Sequence, residues 1–122
     1  DSQDAVFGNL TYDLASLIDD VRIKTSHNLK DKIFDSFINL NSSIDKNKAK
    51  NDFEILSVLR NIKIIGIFTR LAIRDGKKKY MKMIPYAWKM IEHRISKNSC
   101  FKDLEKTLNK YFSKKKRVRQ WK

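Results

Sequence analysis

Only three glycines and one proline punctuate these 122 residues. That scarcity is the strongest constraint on what the chain can fold into. Sheets need tight turns, and tight turns need residues that reach positive φ or preset it. No stretch alternates apolar and polar residues long enough to make a confident strand, whereas apolar residues recur by threes and fours almost throughout. The expectation is an all-α chain of about five helices.

Leu10, Leu14, Leu17, Ile18 and Val21 predict a first helix over about 11–22, entered from a turn at Gly8 and Asn9. Phe34, Phe37 and Ile38 predict a second over about 29–40, and the Asn-, Ser- and Lys-rich residues 41–51 read as a loop. From Asp52 to Arg74 the apolar positions cover nearly the whole circumference, so a third helix should be buried on most sides, with Ile65 at its centre. Gly66 is a poor helix former, and close approach of a neighbouring helix would account for it; Asp75-Gly76 is a stop. Pro85 suits the first turn of a fourth helix with a stripe of Ile84, Trp88, Ile91 and Ile95. Ser99 can cap a fifth, carrying Phe101, Leu104, Leu108 and Phe112. Residues 1–113 then form the folded part, and 114–122 a frayed basic tail.

Charge divides the chain. Residues 1–60 hold 8 basic and 10 acidic side chains; residues 61–122 hold 19 basic and 4 acidic. Such a basic half suits nucleic acid or an acidic partner, although Lys outnumbers Arg 20 to 7, a bias that AT-rich coding also produces. Cys100 stands alone, which excludes a disulfide scaffold and fits a reducing, cytoplasmic setting. No run of apolar residues is long enough for a membrane span. The opening Asp1-Ser-Gln-Asp4 has neither the basic start nor the apolar stretch of a signal peptide. Gly-rich phosphate loops, Cys/His zinc spacings and nucleophile elbows do not occur. Asp19 and Asp20 are neighbours that point apart on a helix and read as a solvated face; His27 and His93 are isolated.

Two segments carry a resemblance. Asp1, Gly8 and Tyr12-Asp13-Leu14-Ala15 match, in type and spacing, the metal-binding end of the aminoglycoside phosphotransferase family of kinases. The Asp-x-Gln-Asp-Ala form is similar to its bacterial branch that phosphorylates N-acetylmuramate and N-acetylglucosamine. Arg60-Asn61-Ile62-Lys63, Gly66-Ile67-Phe68, Arg70-Leu71 and Arg74-Asp75-Gly76-Lys77, followed by Tyr80 and Pro85, resemble a second segment of that branch. Ser2 departs from the pattern, which has an aromatic there.

The resemblance implies a fold, the helical C-terminal subdomain of a protein-kinase-like lobe, and an activity, ATP-dependent phosphoryl transfer to a sugar hydroxyl. It implies Asp1 as a carboxylate ligand of Mg²⁺, because a hard cation bridging nucleotide phosphates takes oxygen donors. It implies Asp13 as a support that hydrogen-bonds the catalytic loop, and Lys77 as a possible phosphate or substrate contact. The family's nucleotide-clamping Lys and catalytic base have no counterpart in these 122 residues, so no residue here is assigned as catalytic and the chain is expected to be inactive alone. Mg²⁺ and ATP would then be bound only with a complementing N-terminal kinase lobe; otherwise the chain is expected to self-associate through an uncovered face carrying Leu10, Leu14 and Leu17. The alternative from a different class is a small basic helical module binding nucleic acid or protein, with Lys77, Lys78 and Lys79 among its contacts.

Overall fold

The computed structural model describes residues 2–41 and 43–118. Among them every regular element is helical: α1 (Ser2–Ile18), α2 (His27–Leu40), α3 (Lys46–Ile73), α4 (Ile84–Ser96), α5 (Lys102–Tyr111) and α6 (Lys114–Arg117), with 3₁₀ helices at Lys78–Met83 and Ser99–Phe101. The all-α expectation holds. The residues form two compact units, 1–57 and 58–122, and the division falls inside α3.

In the first unit, the α1 residues Leu14, Ala15 and Ile18 pack against Phe34 and Ile38 of α2 and against Ala49 and Phe53 of α3. The Phe34 and Phe53 rings lie 5.2 Å apart, tilted by 50°, within the range where offset aromatic pairs attract beyond their buried area. Ser26 caps α2, its hydroxyl accepting the Leu29 N–H at 3.2 Å.

Three boundaries differ from the sequence expectation. Helix α1 starts at Ser2, so Gly8 and Asn9 lie inside it, and it ends at Ile18, not near Arg22. There the Asp20 carboxylate accepts the Arg22 N–H at 2.9 Å and turns the chain. Residues 46–51 are the first turns of α3, not loop. Asp45 caps them, accepting from the N–H groups of Asn47 and Lys48 at 2.9 and 3.3 Å, and Ala49 is the residue that turns this polar stretch into the core.

In the second unit, α3 ends on a left-handed glycine. Gly76 has φ +70, the left-handed stop that glycine allows at a helix end, and the Lys77 N–H reaches back to the Leu71 carbonyl at 3.0 Å. The following 3₁₀ helix sets Tyr80 against Phe68, ring centroids 4.9 Å apart. Pro85 lies in the first turn of α4, and Ile84, Trp88, Ile91 and Ile95 are all buried, as their spacing requires. Asn98, not Ser99, caps the next turn, accepting the Cys100 N–H at 3.0 Å.

Residues 114–117 are helical, against the expectation of a frayed tail. Ser113 accepts the Lys116 N–H. Arg117 is buried: it donates to the Phe112 carbonyl at 2.7 Å and to Asn109 Oδ1 at 2.8 Å, and its guanidinium lies 4.8 Å from the Trp88 ring centroid.

Helix α3 is not buried all round. Phe53, Val58 and Ala72 are buried, Ile65 is half-buried, and Leu59 and Ile73 are exposed. Gly66 also faces solvent, and a Cβ built there meets nothing within 4 Å. The close neighbour expected at Gly66 does not exist among the described residues. The glycine therefore costs helix stability with no packing return, and Gly66→Ala is expected to stabilise the fold by about 0.5–1 kcal/mol. A rise in the urea midpoint checks this; an unchanged or lower midpoint overturns the open surroundings assigned to it.

Candidate functional site

The most completely buried polar group of the first unit lies where α1 ends. Asp19 and Lys30 are 1% and 2% exposed, and Ser57 is fully buried. Lys30 Nζ donates to Asp19 Oδ1 at 2.9 Å, and the Ser57 hydroxyl donates to Asp19 Oδ2. One carboxylate thus ties α2 and α3 to the end of α1. Both its oxygens are engaged, so it has the chemistry of a structural pin and not of a proton acceptor or a metal ligand.

Asp19 was expected on a solvated face. It is buried because the face of α1 carrying Leu14, Ala15 and Ile18 continues one residue beyond the helix into the core. Asp20 is also largely covered, its side chain 15% exposed, and forms a two-bonded pair with the exposed Arg22 at 3.0 and 2.8 Å. Nothing in the local sequence pointed to Lys30, since a lysine in a helix is read as solvated until its partner is known.

Of the residues singled out by resemblance, Asp1 lies outside the described residues. Asp13 is exposed on α1, well inside the helix and not at its start. It shares a surface stripe with Leu10 and Leu17, which are 44% and 67% exposed, positions three or four apart falling on one side of a helix. Leu14, expected on the same uncovered face, is instead a core residue. Lys77 is in the second unit, exposed immediately after Gly76. His27 is exposed at the start of α2, and His93 is half-buried in α4. The described residues contain no group of three or more His, Cys, Asp or Glu that could hold a metal ion.

Two clefts lie among the described residues of the second unit. One, of about 290 Å³, is walled by Ile65, Thr69, Met81, Ile84, Trp88 and Phe112, with Lys116 on its lining. The other, of about 220 Å³, lies between Glu92 and Ile95 of α4 and Glu105, Leu108 and Asn109 of α5, with Arg117. The Arg117 contacts that line the second cleft also hold α6 in place: Glu92 Oε1 is 3.7 Å from its guanidinium. In α3, Asn61 is fully buried and its amide makes no hydrogen bond to the described residues. Such a group is normally met by ordered water. No helix among the described residues is long and apolar enough to cross a membrane.

Comparison with known proteins supports the amino-sugar kinase part of the resemblance. The chain is 34% identical over 88 residues to an N-acetylmuramate/N-acetylglucosamine kinase of Caulobacter vibrioides, covering 72% of this chain and 24% of that protein. It is 35% identical over 94 residues to the kinase of the same name from Neisseria meningitidis serogroup B, covering 70% and 27%. It is 28% identical over 105 residues to that of Pseudomonas aeruginosa, covering 80% and 30%. The chain thus spans 24–30% of the length of these relatives. No family model matches it, and no solved structure matches it.

Proposed function

We propose, from this similarity to amino-sugar kinases, that the chain is the helical part of a phosphotransferase that moves the γ-phosphoryl group of ATP to a sugar hydroxyl, with N-acetylated amino sugars as the substrate class. The carrying observation is that similarity to kinases of one name extends over 70–80% of the chain. In such a reaction the protein positions groups and stabilises charge more than it forms bonds. Asp1 supplies a carboxylate oxygen to the Mg²⁺ that accompanies the nucleotide. One carboxylate does not complete a Mg²⁺ site, and phosphate oxygens and water would supply further donors.

The exposed stripe of Leu10, Asp13 and Leu17 supports a contact with that remainder. Two large aliphatics flanking a carboxylate offer apolar area to cover and an acceptor for backbone N–H groups. The exposure of Lys77 after the Gly76 turn supports its use as an anion contact. The 122 residues alone are expected to show no transfer, because neither a nucleotide-clamping lysine nor a catalytic base is among them.

A chimera tests the reading. These residues replace the matching segment of one of the relatives, and transfer of labelled phosphate from ATP to N-acetylglucosamine is followed. The chimera is expected to be active, and Asp1→Ala within it to lower the rate by about 100-fold or more, as loss of a metal-held transition-state contact does. A folded chimera without activity overturns the proposal, as does activity indifferent to Asp1→Ala.

A further inference from the structure

Leu59, Lys63, Gly66, Arg70 and Ile73 of α3, with Arg74 just after it, fall within an arc of about 100° at the helical repeat, and all six are exposed. Leu59 and Ile73 are 55% and 69% exposed. Neither Lys63 nor Arg70 has an acidic partner among the described residues, and Arg74 is paired only with its neighbour Asp75, at 3.1 Å. In the middle sits Gly66, whose missing Cβ opens onto empty space. A glycine inside an exposed helix is a loss unless something approaches the backbone there.

We infer that this face of α3 is a docking surface for an amphipathic helix with acidic flanks, laid along α3 and closest to it at Gly66. Each feature has its counterpart in that occupant. Helices pack about 8–10 Å apart according to the side chains at the crossing, and a glycine sets the lower limit. Leu59 and Ile73, about 21 Å apart along the axis, bury against its apolar stripe on either side of the crossing. Lys63, Arg70 and Arg74 meet carboxylates at its edges, where arginine is favoured.

Charge excludes a second copy of the same face, since residues 61–122 hold 19 basic and 4 acidic side chains and two such surfaces repel. A nucleic-acid strand would neutralise the cations but leave the two aliphatics and the glycine without a role. The inference uses neither Asp1 nor Asp13, although Lys63, Gly66, Arg70 and Arg74 lie in the second segment that carries the kinase resemblance.

The probe is a fluorescein-labelled 18-residue peptide helix with a leucine stripe, glutamate at both edges and alanine at its centre. Binding to the purified chain is followed by anisotropy at 150 mM salt. Gly66→Leu is the deciding variant: it keeps the charge and raises helix propensity, so it blocks the approach without unfolding α3. Gly66→Leu is expected to weaken binding about tenfold or more, as loss of a central, well-packed contact does. The Arg70→Glu/Arg74→Glu pair is expected to do the same. Lys106→Glu/Lys110→Glu on α5, an equal charge change elsewhere, leaves binding within about twofold, as for a charge outside the contact. Circular dichroism confirms folding in each case. Absent peptide binding, or binding indifferent to Gly66→Leu, overturns the inference. So does a labelled 18-nucleotide oligothymidine that binds more tightly than the peptide and is lost in the same variants, which would assign the face to nucleic acid.

Discussion

Asp19→Ala is expected to destabilise the first unit by about 3–5 kcal/mol, the cost of stranding a buried charge. Lys30 is 2% exposed and its ammonium sits 2.9 Å from Asp19 Oδ1. Removing the carboxylate takes away the charge that lies 2.9 Å from that buried ammonium and takes from the Ser57 hydroxyl its acceptor. A loss of this size is a large share of the stability of so small a unit. Urea melts followed by circular dichroism should show the midpoint fall steeply, with the first unit's cooperative transition weakened or absent.

The pair itself is a poor source of net stability, because desolvating two charges offsets their attraction. Asp19→Ala/Lys30→Met should therefore lie closer to the parent than Asp19→Ala does, and a double-mutant cycle should return a coupling of about 1–3 kcal/mol. A single-variant loss below about 1 kcal/mol, or a double variant worse than the sum of its parts, would show that the two side chains are hydrated and not pinned.

Trp88→Ala is expected to cost the second unit about 3–5 kcal/mol, the range for deleting a large aromatic from a core. Trp88 is 5% exposed on α4; its ring lies 5.2 Å from that of Phe112, and the Arg117 guanidinium stands 4.8 Å from its centroid. Its removal thus takes away buried area, an aromatic pair and a cation–π contact together, the last worth about 0.5–2 kcal/mol in a desolvated setting. Trp88→Phe keeps a ring against Phe112 and should lose less than about 2 kcal/mol. Thermal and urea melts of the three proteins measure the series. Equal losses for Trp88→Phe and Trp88→Ala would mean that the indole contacts, not the buried ring area, hold α4 to the C-terminal turns.

The Asp13 and Asp19 carboxylates show how far local pattern reaches. Both stand on or beside one amphipathic helix, one as part of a motif and one as an unremarkable acid. The structure exposes the motif residue beside Leu10 and Leu17 and buries the other against Lys30 and Ser57. A motif reports what a residue does when its partners are present, and for Asp13 the proposed partner lies in kinase residues beyond these 122. A buried ion pair reports nothing locally, because residues 19, 30 and 57 are joined only by tertiary packing. The same limit applies to Arg117, which composition places in a solvated tail and which Trp88 and Asn109 draw into the unit.

What the sequence determined by itself was set by short-range physics. Scarce glycine and proline, three-and-four spacing and the Asp75-Gly76 stop gave an all-helical chain, because helix formation is decided by neighbours within a few residues. The stripe of Ile84, Trp88, Ile91 and Ile95 was legible for the same reason, and the motifs gave the kinase similarity because they join residue type to spacing. Tertiary structure alone decided which sides of α3 are covered. A helix apolar all round carries no mark of which face meets a partner, so the exposure of Leu59 and Ile73 and the empty space at Gly66 could not be read from periodicity. Burial of a charge is decided in the same way, by whether the fold brings its counter-charge within hydrogen-bonding distance, as it does for Asp19 and Lys30 at 2.9 Å.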